Sequence, residues 1–233
     1  MPTLSRVRPG RPRHLPDKGV GTPREQVLEA AALLFTSKGF AATSTREIAE
    51  AVGIRQASLY YHFAGKDEIL AALLAMTVRP TQMVVDEIVA LVPPERVETG
   101  LCLLALVDIE TLARVPHNVG VLYQLPDVAS ATNLDFNGFR QAHGTLIKTY
   151  ADLGSRLALR HALTTTPSAL GSMLIQQVEG VITLRTDGTE IDHDRAFEIV
   201  AGCLRLCGCD QAEVSDALRR AGSLQSRVAI QAE

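Results

Sequence analysis

The stretch from Ser44 to Lys66, STREIAEAVGIRQASLYYHFAGK, constrains this chain more than any other. It reads as a helix, a tight turn and a second helix. Ser44 and Glu47 have the spacing of a capping box, in which each side chain takes up a backbone N–H that the first helical turn leaves open. Ile48, Ala49 and Val52 then fall on one face at helical spacing. The small side chain of Ala49 lets a second helix cross closely, and Gly53 supplies the positive φ of the turn. Ile54 re-enters the core. The second helix runs from about Gln56 to Phe63, with Leu59 and Phe63 as its inward pair. Arg55, Gln56, Ser58, Tyr60, Tyr61 and His62 are left outside or at the edge.

A short helix with that outer face suits the DNA major groove. Arg reads guanine, Gln reads adenine, Ser serves either, and Tyr and His can hold phosphate oxygens. The succession T-R-E-I-A, G-I, S-L-Y-Y-H-F and G-K-D-E-I-L resembles the DNA-binding domain of TetR-type transcriptional regulators, without a gap from about Thr22 to Leu74. The resemblance implies an all-α protein. A three-helix homeodomain-like unit would be followed by a larger helical body that binds a small effector and dimerises through its last two long helices. It also implies that Arg55, Gln56 and Ser58 contact bases or nearby phosphates. Tyr60, Tyr61, His62 and Lys66 would fix the phosphate backbone, and Thr45 and Arg46 would reach the flanking strand. Arg55-Gln56-Ala57 departs from the Ser or Gly that many members carry in the turn, which bears on base preference.

Charge agrees with that division. Up to Lys66 there are ten Lys/Arg against five Asp/Glu, an excess of five positive charges; beyond it thirteen stand against twenty-one, an excess of eight negative ones. A basic module on an acidic body fits a DNA-binding arrangement. Residues 1–21 are rich in Pro, Gly and Arg and read as a flexible basic arm. Arg8, Arg11 and Arg13 surround a Gly-Arg-Pro that could lie in an A·T-rich minor groove, or serve only as a solubilising tail. The resemblance implies that residues 22–66 are the DNA-binding unit and 67–221 the effector-binding and dimerisation body, with 222–233 expected to be a loose tail. Lys66 opens a helix, where its charge opposes the dipole unless a phosphate is bound there.

The first helix spans Pro23–Lys38, capped by Thr22 and stopped by Gly39, with Val27, Ala31, Leu34 and Phe35 inward. A fourth helix runs from Lys66 to about Val78. Periodicity predicts further helices at about 81–92, 95–114, 117–125, 134–160, 167–186 and 193–208. Leu170, Leu174, Val178, Val181 and Ile182 make one apolar stripe, and Phe197, Val200, Ala201 and Leu204 another. Two such helices from each of two chains could form a four-helix bundle, and an ordinary single-chain core would show the same stripes. Asn118, Tyr123, Asn137, His143, Gln176 and Glu179 are polar groups among apolar ones. Tyr123, Phe139 and His143 are the candidate effector contacts, although each alone is more often a satisfied core or surface residue.

Chemistry-bearing motifs are absent. Cys203, Cys207 and Cys209 crowd together without a second half of a zinc motif, and read as small buried hydrophobes before a redox switch. No P-loop, dinucleotide fingerprint or nucleophile elbow occurs, so no metal, cofactor or catalytic residue is expected. Apolar runs stay short of a membrane span and no secretory signal is recognisable, which predicts a cytoplasmic chain with reduced thiols. The expected function is a homodimeric repressor bound to a palindromic operator and released by a small molecule. Two rival readings remain: an architectural protein reading A·T-rich shape with its Arg arm, and a helical enzyme with a DNA-localising module.

Overall fold

The computed structural model describes residues 21–125, 128 and 136–228; within them the chain is helical, with no strand. The arm bearing Arg8, Arg11 and Arg13 lies outside the described residues. The N-terminal unit comprises α1 (Pro23–Lys38), α2 (Thr45–Val52), α3 (Gln56–His62) and α4 (Lys66–Ala75). Both expected helix starts form. Thr22 and Glu25 close a capping box on α1, and Ser44 and Glu47 close one on α2. Gly53 ends α2 in the left-handed conformation, at φ 75° and ψ 23°. Val27, Ala31, Phe35, Ile48, Ala49, Leu59 and Phe63 are buried together. Leu34 is only partly buried against them.

That core does not stop at Lys66. Ile69, Leu70, Leu73 and Leu74 of α4 enter it, and so do Val115, Val119 and Leu122 from farther along the chain. Lys66 itself faces inward. Its ammonium donates to the carbonyls of Phe40 (3.1 Å), Ala41 (3.4 Å) and Thr43 (3.2 Å), and lies 4.5 Å from the centre of the Phe40 ring. Three carbonyl dipoles and a ring face offset the unfavourable helix dipole. Lys66 therefore pins the α1–α2 loop to the start of α4, behind the helix-turn-helix.

The body follows as α5 (Arg79–Leu91), α6 (Val97–Arg114), a 3₁₀ turn at Pro116–Asn118, α7 (Val121–Gln124), α8 (Asn137–Arg160), α9 (Pro167–Thr186), α10 (His193–Leu206) and α11 (Gln211–Gln225). α6 is its axis, packed against α5, α8, α9, α10 and α11. It is buried all round, and only Glu110, Ala113 and Arg114 escape full burial. A helix of that kind belongs in the middle of a bundle. α8 and α9 form the closest pair, because Gly171 leaves room for the neighbouring helix. A Cβ there would stand 2.7 Å from the Ala151 Cβ and 2.8 Å from the Ile147 carbonyl oxygen.

The turn after α6 ties body to reader. His117 Nε2 lies 2.7 Å from Glu29 Oε1 of α1. The Asn118 amide donates to the Ile182 carbonyl at 2.8 Å, and Arg185 of α9 donates to the carbonyls of Leu112 (2.6 Å) and Val115 (2.8 Å) at the end of α6. The Arg185 bonds take up carbonyls that the end of α6 leaves open, since Pro116 has no N–H to give to Leu112.

Two acids of α6 are buried: Glu98, which pairs with Arg160 at 3.0 Å, and Asp108, sealed deeper at 2% exposure. Oδ1 accepts from the Thr81 hydroxyl and Oδ2 from the Tyr150 hydroxyl, both at 3.0 Å. Burial pushes its carboxyl up to about 7, against the lowering effect of those two bonds.

Two expectations need correction, and one alternative is decided. The stretch 222–233 is not a loose tail as a whole. α11 reaches Gln225 from a capping box at Asp210 and Glu213, and Ala221 and Val228 are buried. Of the two readings the stripes left open, the single-chain core applies: Leu170, Leu174, Val178, Val181, Ile182, Val200, Ala201 and Leu204 all lie in it. Finally, Lys66–Leu91 is long and apolar enough to cross a membrane by length and composition, with mean hydropathy 1.3 over its best window. Its apolar residues are shared between the two cores, Ile69 to Leu74 in one and Val84 and Ile88 in the other.

Two outcomes follow. Lys66→Met, which keeps the stem and removes the donors, should lower stability by about 1–3 kcal/mol, read as the denaturant midpoint of unfolding. For Asp108, the folded-state value near 7 lies above the ordinary 3.8, so folding takes up a proton between them. Its contribution is therefore present below about pH 4 and lost as pH rises to about 7. The melting temperature of the wild type relative to Asp108→Asn should fall across that window; a constant difference would contradict an ionisable, buried Asp108.

Candidate nucleic-acid interface and effector cleft

The inner side of α3 is consumed by Leu59 and by Phe63 just beyond it, which are buried in the reader core. Its outer side is open. Arg55, Gln56, Ser58, Tyr60 and Tyr61 are exposed, Tyr61 most of all at 88%, and His62 is half-buried. Arg55 stands at the N-cap without using its side chain as a cap. The Tyr61 and His62 rings meet edge to face, with centroids 5.2 Å apart.

Thr45 joins the two helices of the motif. Its hydroxyl accepts from the Gln56 amide at 2.9 Å and lies 3.2 Å from the Tyr60 hydroxyl. The start of α2 and the outer side of α3 thus form one continuous polar surface. Arg46 is turned to its own helix, where Nε donates to Glu50 at 2.8 Å. Below this surface, Glu47 ties the capping box to Lys38. The Lys38 bond, followed by those from Ser44, holds the Glu47 carboxyl down at about 2. Of the nominated residues, Lys66 alone points away: its donors are taken by the three loop carbonyls. The geometry makes it a positioning residue for the reader.

The three nominated effector contacts come together. Phe139 and His143 stack with ring centroids 5.6 Å apart, and Tyr123 lies 5.4 Å from Phe139 and 6.1 Å from His143. His143 pairs with Glu179 at 2.7 Å, a bond that raises its pKa. Burial, reinforced by the charge of Glu179, raises that of the Tyr123 hydroxyl. Glu179 therefore belongs to this group, whereas Gln176 is exposed on α9 and Asn118 serves the turn after α6. Asp108, Thr81 and Tyr150 escaped the sequence reading, although a lone acid within the apolar run LCLLALVDI was a visible signal.

Beside the aromatic group, a cleft of about 880 Å³ separates the reader from the body. Ala72 and Met76 of α4 line one side, and Met83, Thr111, Phe139 and Ala142 line the other. Phe139 is common to the cleft wall and to the ring cluster. The size is that of a small-molecule site, and the lining is mixed: the charged side chains of Arg24, Glu25, Glu29, Glu68, Arg79 and Arg114 stand among the apolar ones.

The model for bacterial regulatory proteins of the tetR family matches residues 27–73. In sequence, the repressor KstR2 of Mycobacterium tuberculosis is 46% identical over 55 residues, 24% of this chain and 28% of that protein. The chain thus matches little more than a quarter of the length of this curated relative. Solved structures extend the likeness to the body. AmtR of Mycobacterium smegmatis is 33% identical, with a TM-score of 0.78 over 91% of this chain and 98% of its own. The structure of the ketosteroid regulator KstR2 of M. tuberculosis, 22% identical, shares the fold with a TM-score of 0.63 over 82% of this chain and 96% of its own. With a reader that fits the family model and a body that follows AmtR from end to end, the chain belongs to the TetR family of bacterial regulatory proteins.

Proposed function

We propose that this protein is a homodimeric transcriptional repressor that binds an approximately palindromic operator through α3 and is released by a small molecule. The observation that carries the reading is the outer face of α3: five consecutive-turn side chains able to contact bases or phosphates, left open by a fully packed bundle. Arg55, Gln56 and Ser58 read the groove. Tyr60, Tyr61 and His62 hold the backbone, and Thr45 orients Gln56 from α2. Lys66 acts from behind by fixing the α1–α2 loop.

For the dimer, α9 and α10 offer their outer faces instead of the inward stripes. Met173, Gln176, Gln177 and Thr183 make an uncharged exposed row along α9. Two copies joined across a two-fold axis place two α3 helices on one side of a duplex, which calls for two half-sites.

For the effector, the cleft touches α4 and α5, the segment that leads from reader to body. A molecule that fits the cleft in one arrangement of the two parts favours that arrangement. Operator and effector then oppose each other by one reciprocal coupling free energy, about 1–3 kcal/mol in typical cases.

Selection of binding sites from a random duplex pool should enrich an imperfect palindrome. Arg55→Ala and Gln56→Ala should each relax preference at particular base pairs, at a cost of about 1–3 kcal/mol where a bidentate contact is lost. Enrichment of A·T-rich duplex without symmetry would support the architectural reading instead. With the operator in hand, compounds that release it can be sought. For such a compound, Phe139→Ala should weaken release by about tenfold or more while operator affinity stays within about twofold, as expected from removing a half-buried ring on the cleft wall.

A further inference from the structure

Sequence spacing shows no metal motif near the crowded cysteines. The fold, however, carries His161 to Cys209 across the base of the body. His161 caps the end of α8, Cys209 lies in the link between α10 and α11, and Glu213 sits in the first turn of α11. His Nε2, Cys Sγ and a Glu carboxylate oxygen lie within 4.8 Å of one another, the sole such group of three among the described residues. We propose that His161, Cys209 and Glu213 form a binding site for a divalent transition-metal ion of the zinc class.

His161 Nε2 is buried and has no hydrogen-bond partner. It stands 3.5 Å from Glu213 Oε1 without the alignment of a hydrogen bond. Two ligands of one tetrahedral zinc, with metal–nitrogen and metal–oxygen bonds near 2.0–2.1 Å, are separated by about 3.4 Å. The spacing that fails as a hydrogen bond thus fits shared coordination.

The three side chains are also held in place by other groups. Glu213 accepts the Asp210 N–H through Oε2 at 2.8 Å, which directs Oε1 to the imidazole. The Cys209 N–H donates to the Leu204 carbonyl at 3.1 Å. Gly208, at φ +91°, lets the loop approach the ring: a Cβ on it would stand 2.8 Å from the His161 Cβ and 3.2 Å from Cγ. Such supporting bonds orient the ligands of established metal sites.

The donor set selects the ion. An imidazole nitrogen, a thiolate and a carboxylate suit zinc and its neighbours, whereas calcium and magnesium take oxygen ligands. Binding displaces the Cys209 thiol proton to solvent, and the thiolate and carboxylate together neutralise the two positive charges of the ion. A neutral cluster is tolerable where Cys209 is buried. A fourth position remains for water or another ligand. The proposal does not depend on the DNA-binding reading.

The test is Co²⁺ titration of the full-length protein, stripped with a chelator and kept reduced, followed by displacement with Zn²⁺. One equivalent per chain should give a thiolate-to-cobalt charge-transfer band, and Zn²⁺ should abolish it. Cys209→Ser should lose the band and Cys207→Ser keep it. His161→Gln and Glu213→Gln should weaken binding by at least about tenfold. The proposal is overturned if the wild type gives no band, if the band survives in Cys209→Ser, or if Cys207→Ser removes it. Should Cys209→Ser not fold by circular dichroism, unchanged affinity in folded His161→Gln and Glu213→Gln variants overturns it equally.

Discussion

The body depends on one helix that has no solvent side. α6 meets five other helices and so needs apolar side chains around nearly its whole circumference. Its most deeply buried acid, Asp108, is answered by the neighbouring helices with hydroxyls from Thr81 on α5 and Tyr150 on α8. Burying a carboxyl without such donors costs far more than a surface ion pair returns. The same arrangement fixes the register of α5 and α8 against α6, because only one alignment brings both hydroxyls to one carboxyl. Packing specifies the bundle, and the polar contacts choose among its possible alignments.

The reader works differently. Its helices are short, and α2 and α3 would be marginal alone. Caps, the left-handed Gly53 and a small apolar core define it, with Lys66 bridging the loop that the caps do not reach. The surface offered to a partner is consequently the one part of the unit that spends little on its own stability. Thr45 links Gln56 and Tyr60 on it, so the polar groups are partly ordered before any partner arrives, which lowers the entropy lost on binding.

Much of this was legible in the sequence because its signals are local. Capping boxes, Gly53, and the helix boundaries at 23–38 and 167–186 depend on residues a few positions apart. The remainder depends on residues brought from far along the chain. Lys66 reads as a phosphate anchor until the fold sets it beneath Phe40, Ala41 and Thr43. The stripes on α9 and α10 show that those helices bury a face and cannot show against what. α11 was missed because its inward side is built largely of alanines, which carry little hydrophobic signal, although Asp210 and Glu213 announced its start. Tyr123, Phe139 and His143 were nominated one by one for their polarity or aromaticity, and only the fold makes them a cluster with Glu179.

The short turn after α6 has a mechanical meaning. The reader is fastened to the body at three places: through the chain at α4–α5, through Val115 to Leu122 with the His117–Glu29 pair, and through Phe136 at the start of α8, which is buried in the reader core. A body held by a single strap could let the reader swivel in any direction. Attachment at three places opposes such swivelling. Arg185 and Asn118 fasten the second of these places to α9, so a displacement of α9 would be passed on to the unit that carries α3.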